Sequence, residues 1–183
     1  MAGCNLRCVY CDTRHAYAPG RETAVPELVE EFVASGVGLV EITGGEPLLQ
    51  EGFVALATAL RDLPGNRVLV ETNGSRDISV IPDGVVAVMD IKTPGSGVAA
   101  DMDMDNLARL RLSDEVKFVL CDREDYEWAR GFAARHSLSE RCNAVLFAPV
   151  FGQLEPGQLA GWMIEDGVAA RLQVQVHKLI EAR

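Results

Sequence analysis

Cys4, Cys8 and Cys11 fall within eight consecutive residues, with three residues in the first gap and two in the second. Thiolates are soft ligands, and three on one short loop can wrap a single metal centre. An iron–sulfur cubane is usually held by four thiolates. A three-cysteine loop would therefore leave one iron free to take a cofactor or substrate. The plainer alternative is zinc, which takes four ligands and would need His15 or Cys121 as the fourth. Cys121 and Cys142 otherwise read as quiet core thiols. Five cysteines in all, an odd count, speak against a disulfide framework. Met1–Cys11 lacks the apolar run of a signal peptide, so a reducing, cytoplasmic setting is expected.

Four further stretches could carry chemistry. Thr43-Gly44-Gly45-Glu46-Pro47 puts two glycines where a strand should end, letting backbone approach a ligand closely; a simple turn would look the same. Cys11-Asp12-Thr13 sets a hydroxyl beside a candidate ligand, and hard cations such as Mg²⁺ take oxygen; Asp12 could equally cap an ordinary turn. Asp90-Ile91-Lys92-Thr93-Pro94-Gly95-Ser96-Gly97 offers a lysine at a strand end, which could pair with a carboxylate or merely be solvated. In Leu172 to Lys178, read as a last strand, Gln173, Gln175 and His177 share a face by period two and could hydrogen-bond a pterin-like ring; a wet edge strand fits equally.

The elements that would position these residues alternate. Strands are expected at Leu39–Ile42, Arg67–Glu71, Val85–Met89, Val116–Leu120, Ala144–Phe147 and Leu172–Val176. Helices are expected at Val25–Ala34, Gly52–Leu63, Asn106–Leu112, Arg123–His136 and Pro156–Asp166, with Pro26 and Gly36 bracketing the first. The strands read as apolar throughout, as a parallel sheet covered on both faces requires. Six strands fall short of a closed βα barrel, so the expected fold is α/β, an open, partial βα barrel of mostly parallel strands. Ligands of such sheets sit beyond the carboxyl ends of the strands, which gathers all four stretches with the cysteine loop at one mouth. Residues 1–183 read as one domain, with no repeat or dividing linker. The net charge of −10 disfavours a nucleic-acid partner, and no apolar run is long enough to cross a membrane.

The three-cysteine loop, with Tyr10 before its last cysteine, resembles the signature of the radical S-adenosylmethionine (SAM) superfamily. The Thr43–Pro47 run is similar to that superfamily's GGEP motif, which binds the amino group of SAM. The run from Ala2 through Thr13, the Thr93–Gly97 stretch and the Gln-x-His-Lys ending together resemble the 7-carboxy-7-deazaguanine synthases. The resemblance implies a [4Fe-4S] cluster on Cys4, Cys8 and Cys11, with no catalytic side chain beyond cluster and SAM. It implies SAM contacts from Tyr10, Cys11, Asp12, Gly44, Gly45, Glu46, Asp90, Ile91 and Lys92, Mg²⁺ on Thr13, and substrate contacts from Thr43 and His177. The implied reaction turns 6-carboxy-5,6,7,8-tetrahydropterin into 7-carboxy-7-deazaguanine with loss of ammonia, a carbon–nitrogen lyase step on the way to queuosine. The implied partners are that small pterin, an electron donor such as flavodoxin, and a second copy in a homodimer. Family members carry a segment ahead of the cysteine loop that forms a first strand and holds substrate. Here Cys4 is the fourth residue, so a truncated start and an incomplete substrate pocket are expected. Two competing readings stand beside this one: an activase for a glycyl-radical enzyme, and a zinc-stabilised module or impaired fragment that only binds cluster and SAM.

Overall fold

Short apolar runs ended by Gly, Asn or Pro become six strands: β1 (Leu39–Ile42), β2 (Arg67–Thr72), β3 (Val86–Asp90), β4 (Glu115–Leu120), β5 (Ala144–Pro149) and β6 (Arg171–Leu172). A computed structural model describes residues 1–180, the side chains of His177 and Leu179 excepted. The six strands form one sheet in the order β1-β2-β3-β4-β5-β6, every neighbouring pair parallel. Spatial order equals chain order, so successive crossovers each step one strand along and the sheet stays open.

The connecting helices are α1 (Val25–Ser35), α2 (Phe53–Arg61), α3 (Asn106–Arg109), α4 (Arg123–Arg135), α5 (Leu138–Arg141), α6 (Pro156–Glu165) and α7 (Val176–Leu179). Local chemistry sets their ends. Proline opens α1, and Gly36 closes it in the left-handed conformation (φ 69°). At α4 the Asp122 side chain accepts from Asp125 N at 2.9 Å. Helix α2 buries Phe53, Leu56, Ala57 and Leu60, a spacing of three and four that puts one stripe on the sheet.

The expectation of strands apolar on both faces holds for β5, buried at all six residues, and for most of β3. It fails for β2 and β4, where burial alternates. The reason is that the helices cover one face only. That face supplies Val68, Val70, Met89, Phe118 and Phe147 to the main core, where Phe118 meets Phe132 and Phe147 edge to face. The concave face has a much smaller apolar patch of Val88, Ala144 and Leu146, with Leu69 against it. Two residues along from Leu69, Val88 and Glu115, the same face carries Glu71, Asp90 and Lys117.

The last strand is also shorter than expected. β6 ends at Leu172, and Gln173 adds one more bond, its N–H to Phe147 O at 2.9 Å. The next rung would need an N–H from Pro149, which has none. The chain therefore leaves the sheet and turns into α7, and Gln173, Gln175 and His177 are not a strand face.

Candidate active site

The carboxyl ends of the strands and the cysteine loop enclose a cavity of about 660 Å³. Cys4, Cys8 and Cys11, all free thiols, line it together with Tyr10, Asp12, Thr13, Thr43, Gly44, Gly45, Asp90 and Lys92. Most of the residues singled out from sequence thus share one wall. Two do not. Ile91 is buried in the helix-side core. Glu46 is fully buried and turned into the protein. His177 falls in α7, and its side chain is outside the described residues.

Glu46 acts as an anchor. Its Oε1 accepts from Thr72 Oγ1 at 2.8 Å and from Leu48 N at 3.0 Å, and its Oε2 accepts from Asn73 N at 2.6 Å. The carboxylate thus pins the end of β2 to the loop after β1. Burial pushes the Glu46 carboxyl above the usual carboxylate range, against the pull of those three donors and the Lys92 charge. The adjacent glycines are needed because the chain's own start runs across them. A Cβ on Gly44 or Gly45 would collide with the backbone of Met1 or Gly3. Gly45 N donates to Met1 O at 2.7 Å and Glu46 N to Gly3 O at 2.8 Å, locking the cysteine loop to the β1 loop.

Beside the cysteine loop Lys92 Nζ meets Asp90 Oδ2 at 2.7 Å, both side chains 8% exposed. Burial works to lower the Lys92 pKa, but the Asp90 carboxylate, with Tyr10 and Cys8, outweighs it and holds the ammonium charged. Asp90 Oδ1 and the Tyr10 hydroxyl are buried polar atoms with no partner among the described residues. An orphaned carboxylate oxygen beside a cavity is costly unless a ligand donates to it. The thiols, the close backbone and this orphaned oxygen suit a cluster with an attached polar cofactor. Among the described residues no three His, Cys, Asp or Glu side chains converge as a single-ion site. A cubane needs no such convergence, since each thiolate takes its own iron. Three hydrogen bonds hold the two loops in place: Val9 N donates to Ser96 O at 3.0 Å, and Asp125 accepts from Thr93 Oγ1 at 2.9 Å and from Gly95 N at 2.8 Å.

The mouth is tied across. Asp12 Oδ2 accepts from Lys178 Nζ at 2.6 Å and Gln175 Nε2 at 2.9 Å, joining the cysteine loop to α7. Burial works to raise the Asp12 pKa, but those two bonds dominate and hold the carboxyl below its usual range. With side chains 23% and 37% exposed, the Lys178–Asp12 pair stabilises by about 0.5–1 kcal/mol. Lys178→Ala is therefore expected to speed amide hydrogen exchange at Lys178 and Ile180 roughly 2–5-fold. Unchanged exchange there would remove the tie. A depressed carboxylate pKa means the tie is present above about pH 4 and lost as pH falls through the folded value, so protection should not change between pH 7 and 5.

The cavity contains charge that the motifs did not reveal. Glu41, Glu71 and Lys117 line its inner wall, and Lys117 Nζ contacts Glu71 Oε1. Burial pulls the Lys117 pKa down, against the carboxylates of Glu41 and Asp12. The signal was present: in Leu39–Ile42, Arg67–Thr72 and Glu115–Leu120 a charged residue interrupts each apolar run at a concave-face position.

The radical SAM superfamily profile matches residues 1–90. Three curated proteins named 7-carboxy-7-deazaguanine synthase align over 98% of this chain. The one from Koribacter versatilis is 39% identical, with 85% of its own length covered. The Chlorobaculum tepidum protein is 41% identical with 82% covered, and that of Methanospirillum hungatei is 33% identical with 74% covered.

Proposed function

Because the chain belongs to the 7-carboxy-7-deazaguanine synthases of the radical SAM superfamily, we propose that the cavity described above is where it carries out that reaction. The enzyme converts 6-carboxy-5,6,7,8-tetrahydropterin into 7-carboxy-7-deazaguanine with loss of ammonia, a lyase step of queuosine biosynthesis. The observation that carries the site assignment is the placement of three free thiols and the orphaned Asp90 Oδ1 on one cavity wall.

Cys4, Cys8 and Cys11 would hold a [4Fe-4S] cluster, leaving one iron for SAM. When bound, cluster and SAM supply the one-electron chemistry that removes a hydrogen atom from the substrate. The chain's own residues bind and orient. Asp90 Oδ1 offers an acceptor to SAM hydroxyl or ammonium donors, while Lys92 Nζ occupies Asp90 Oδ2. Thr43, Gly44 and Gly45 line the same cavity. Glu41, Glu71 and Lys117 present charges of both signs, which suits a pterin with donor and acceptor edges and a carboxylate. A cavity of about 660 Å³ lies in the small-molecule range.

Thr13 Oγ1, 3.4 Å from Asp12 Oδ1, would give Mg²⁺ an oxygen ligand. Thr13→Ala is expected to keep the cluster and lose the rate response to added Mg²⁺; an unchanged response would refute that role. The electron donor would be a small redox protein such as flavodoxin, in the cytoplasm, and the working unit a homodimer. The direct test is anaerobic reconstitution with iron and sulfide, then SAM, Mg²⁺, a reductant and the pterin, with products read by mass spectrometry. Accumulation of 7-carboxy-7-deazaguanine supports the assignment. Slow 5′-deoxyadenosine alone, in this chain and in one extended upstream, would refute the substrate.

A further inference from the structure

Asn73 follows β2, is 8% exposed and lines the cavity. Its backbone N–H is fixed on Glu46 Oε2 at 2.6 Å. Its side-chain Oδ1 accepts from Ser75 N at 3.0 Å and from Ser75 Oγ at 2.6 Å. Those two donors saturate the carbonyl end, so the Nδ2 end must point the other way. There it meets Asn5 Oδ1 at 3.2 Å and Cys4 Sγ at 3.7 Å. Asn5 Nδ2 in turn donates to Ser75 Oγ at 2.8 Å, closing a ring of three side chains. Turning the Asn73 amide over would set N–H against N–H at Ser75 and carbonyl against carbonyl at Asn5. The network itself therefore fixes which end faces the sulfur.

We propose that Asn73 is a redox-positioning residue, whose amide N–H donates to the Cys4 sulfur and makes a cluster on Cys4, Cys8 and Cys11 easier to reduce. The proposal rests on the cluster reading above. Reduction adds an electron to a centre whose sulfurs already carry negative charge, and a donor at a ligand sulfur stabilises the reduced form more than the oxidised one. The surroundings make such a donor matter. Asp12, Glu41, Glu71 and Asp90 line the same cavity, and their charge opposes an incoming electron, with Lys92 and Lys117 countering in part. Asn73 adds a dipole of the helpful sign at contact distance without adding charge.

The test uses the whole reconstituted chain, without SAM or substrate. Iron, sulfide and visible absorbance report whether the cluster is present. An anaerobic potentiometric titration with dithionite and mediator dyes, read by electron paramagnetic resonance, reports its midpoint. Asn73→Ala is expected to hold its cluster while the ratio of reduced to oxidised cluster at a fixed potential falls about tenfold, or 59 mV for a one-electron couple. Ser75→Ala removes the hydroxyl that donates to Asn73 Oδ1 and accepts from Asn5 Nδ2 but leaves the Ser75 backbone N–H, so it loosens the amide without releasing it and should move the midpoint the same way by less. An unchanged midpoint in a fully loaded Asn73→Ala chain overturns the proposal. Should that variant fail to take up cluster, an unchanged midpoint in Ser75→Ala overturns it. A wild-type chain that takes up no iron and sulfide overturns the cluster reading, and this proposal with it.

Discussion

Replacing any one of Cys4, Cys8 or Cys11 with alanine abolishes cluster uptake and, with it, all cleavage of SAM. The expectation is this severe because no other thiol can substitute. Cys121 is buried just past β4, does not line the cavity, and its thiol is pushed up to about 12, mainly by burial. Cys142 is buried beside β5 and donates to Leu138 O at 3.1 Å. Two remaining thiolates would leave two irons without a protein ligand, and SAM can serve only one. Iron and sulfide content, visible absorbance and 5′-deoxyadenosine release should all fall to background. A single alanine variant that retains cluster and full cleavage would sink the assignment.

Glu46→Ala is expected to be the most destabilising change at the site, although Glu46 does not line the cavity. The carboxylate is fully buried and satisfies three donors on two separate segments. Truncation leaves the Thr72 hydroxyl and the Asn73 N–H buried with nothing to bond. At about 1–3 kcal/mol for each of the two stranded donors, the loss is roughly 2–6 kcal/mol. That is a large share of the 5–15 kcal/mol typical of a folded domain. Glu46→Gln should cost less, about 2 kcal/mol, because its carbonyl oxygen still accepts while its amide faces one donor with another. Urea unfolding of the cluster-free chains would measure both. Equal loss in the two variants would show that the bonds matter less than the space the side chain fills.

Much of the fold was legible because its signals are local. Pro26, Gly36, Gly65 and the apolar runs placed nearly every strand and long helix within a residue or two. The C-terminal segment was misread because its outcome depends on a partner far away in sequence: Pro149, not anything within Leu172–Lys178, ends the β6 ladder. The site divides in the same way. The cysteine loop, the double glycine and Asp90–Lys92 are contiguous and could be recognised. Glu41, Glu71 and Lys117 sit on three different strands far apart in sequence, and only the folded sheet brings them to one cavity. Glu46 was read as a cofactor contact because it belongs to the motif, yet its bonds serve the loop that carries the motif.

Strand order that follows chain order also bears on how the protein is made. A sheet laid down β1 to β6 can grow vectorially on the ribosome, each new βα unit adding to the edge already present, with no strand inserted between two others. The cysteine loop precedes all six described strands, yet other lining residues, Ala148 to Phe151 and Gln173 to Lys178, are synthesised after it. The nascent chain thus offers its three thiols from a half-built bowl, open to any iron–sulfur carrier, before the C-terminal segment closes over Asp12. Cluster uptake by ribosome-stalled chains ending before and after β6 would time that closure: faster uptake by the shorter chain is expected, and equal rates would place the closure outside the maturation step.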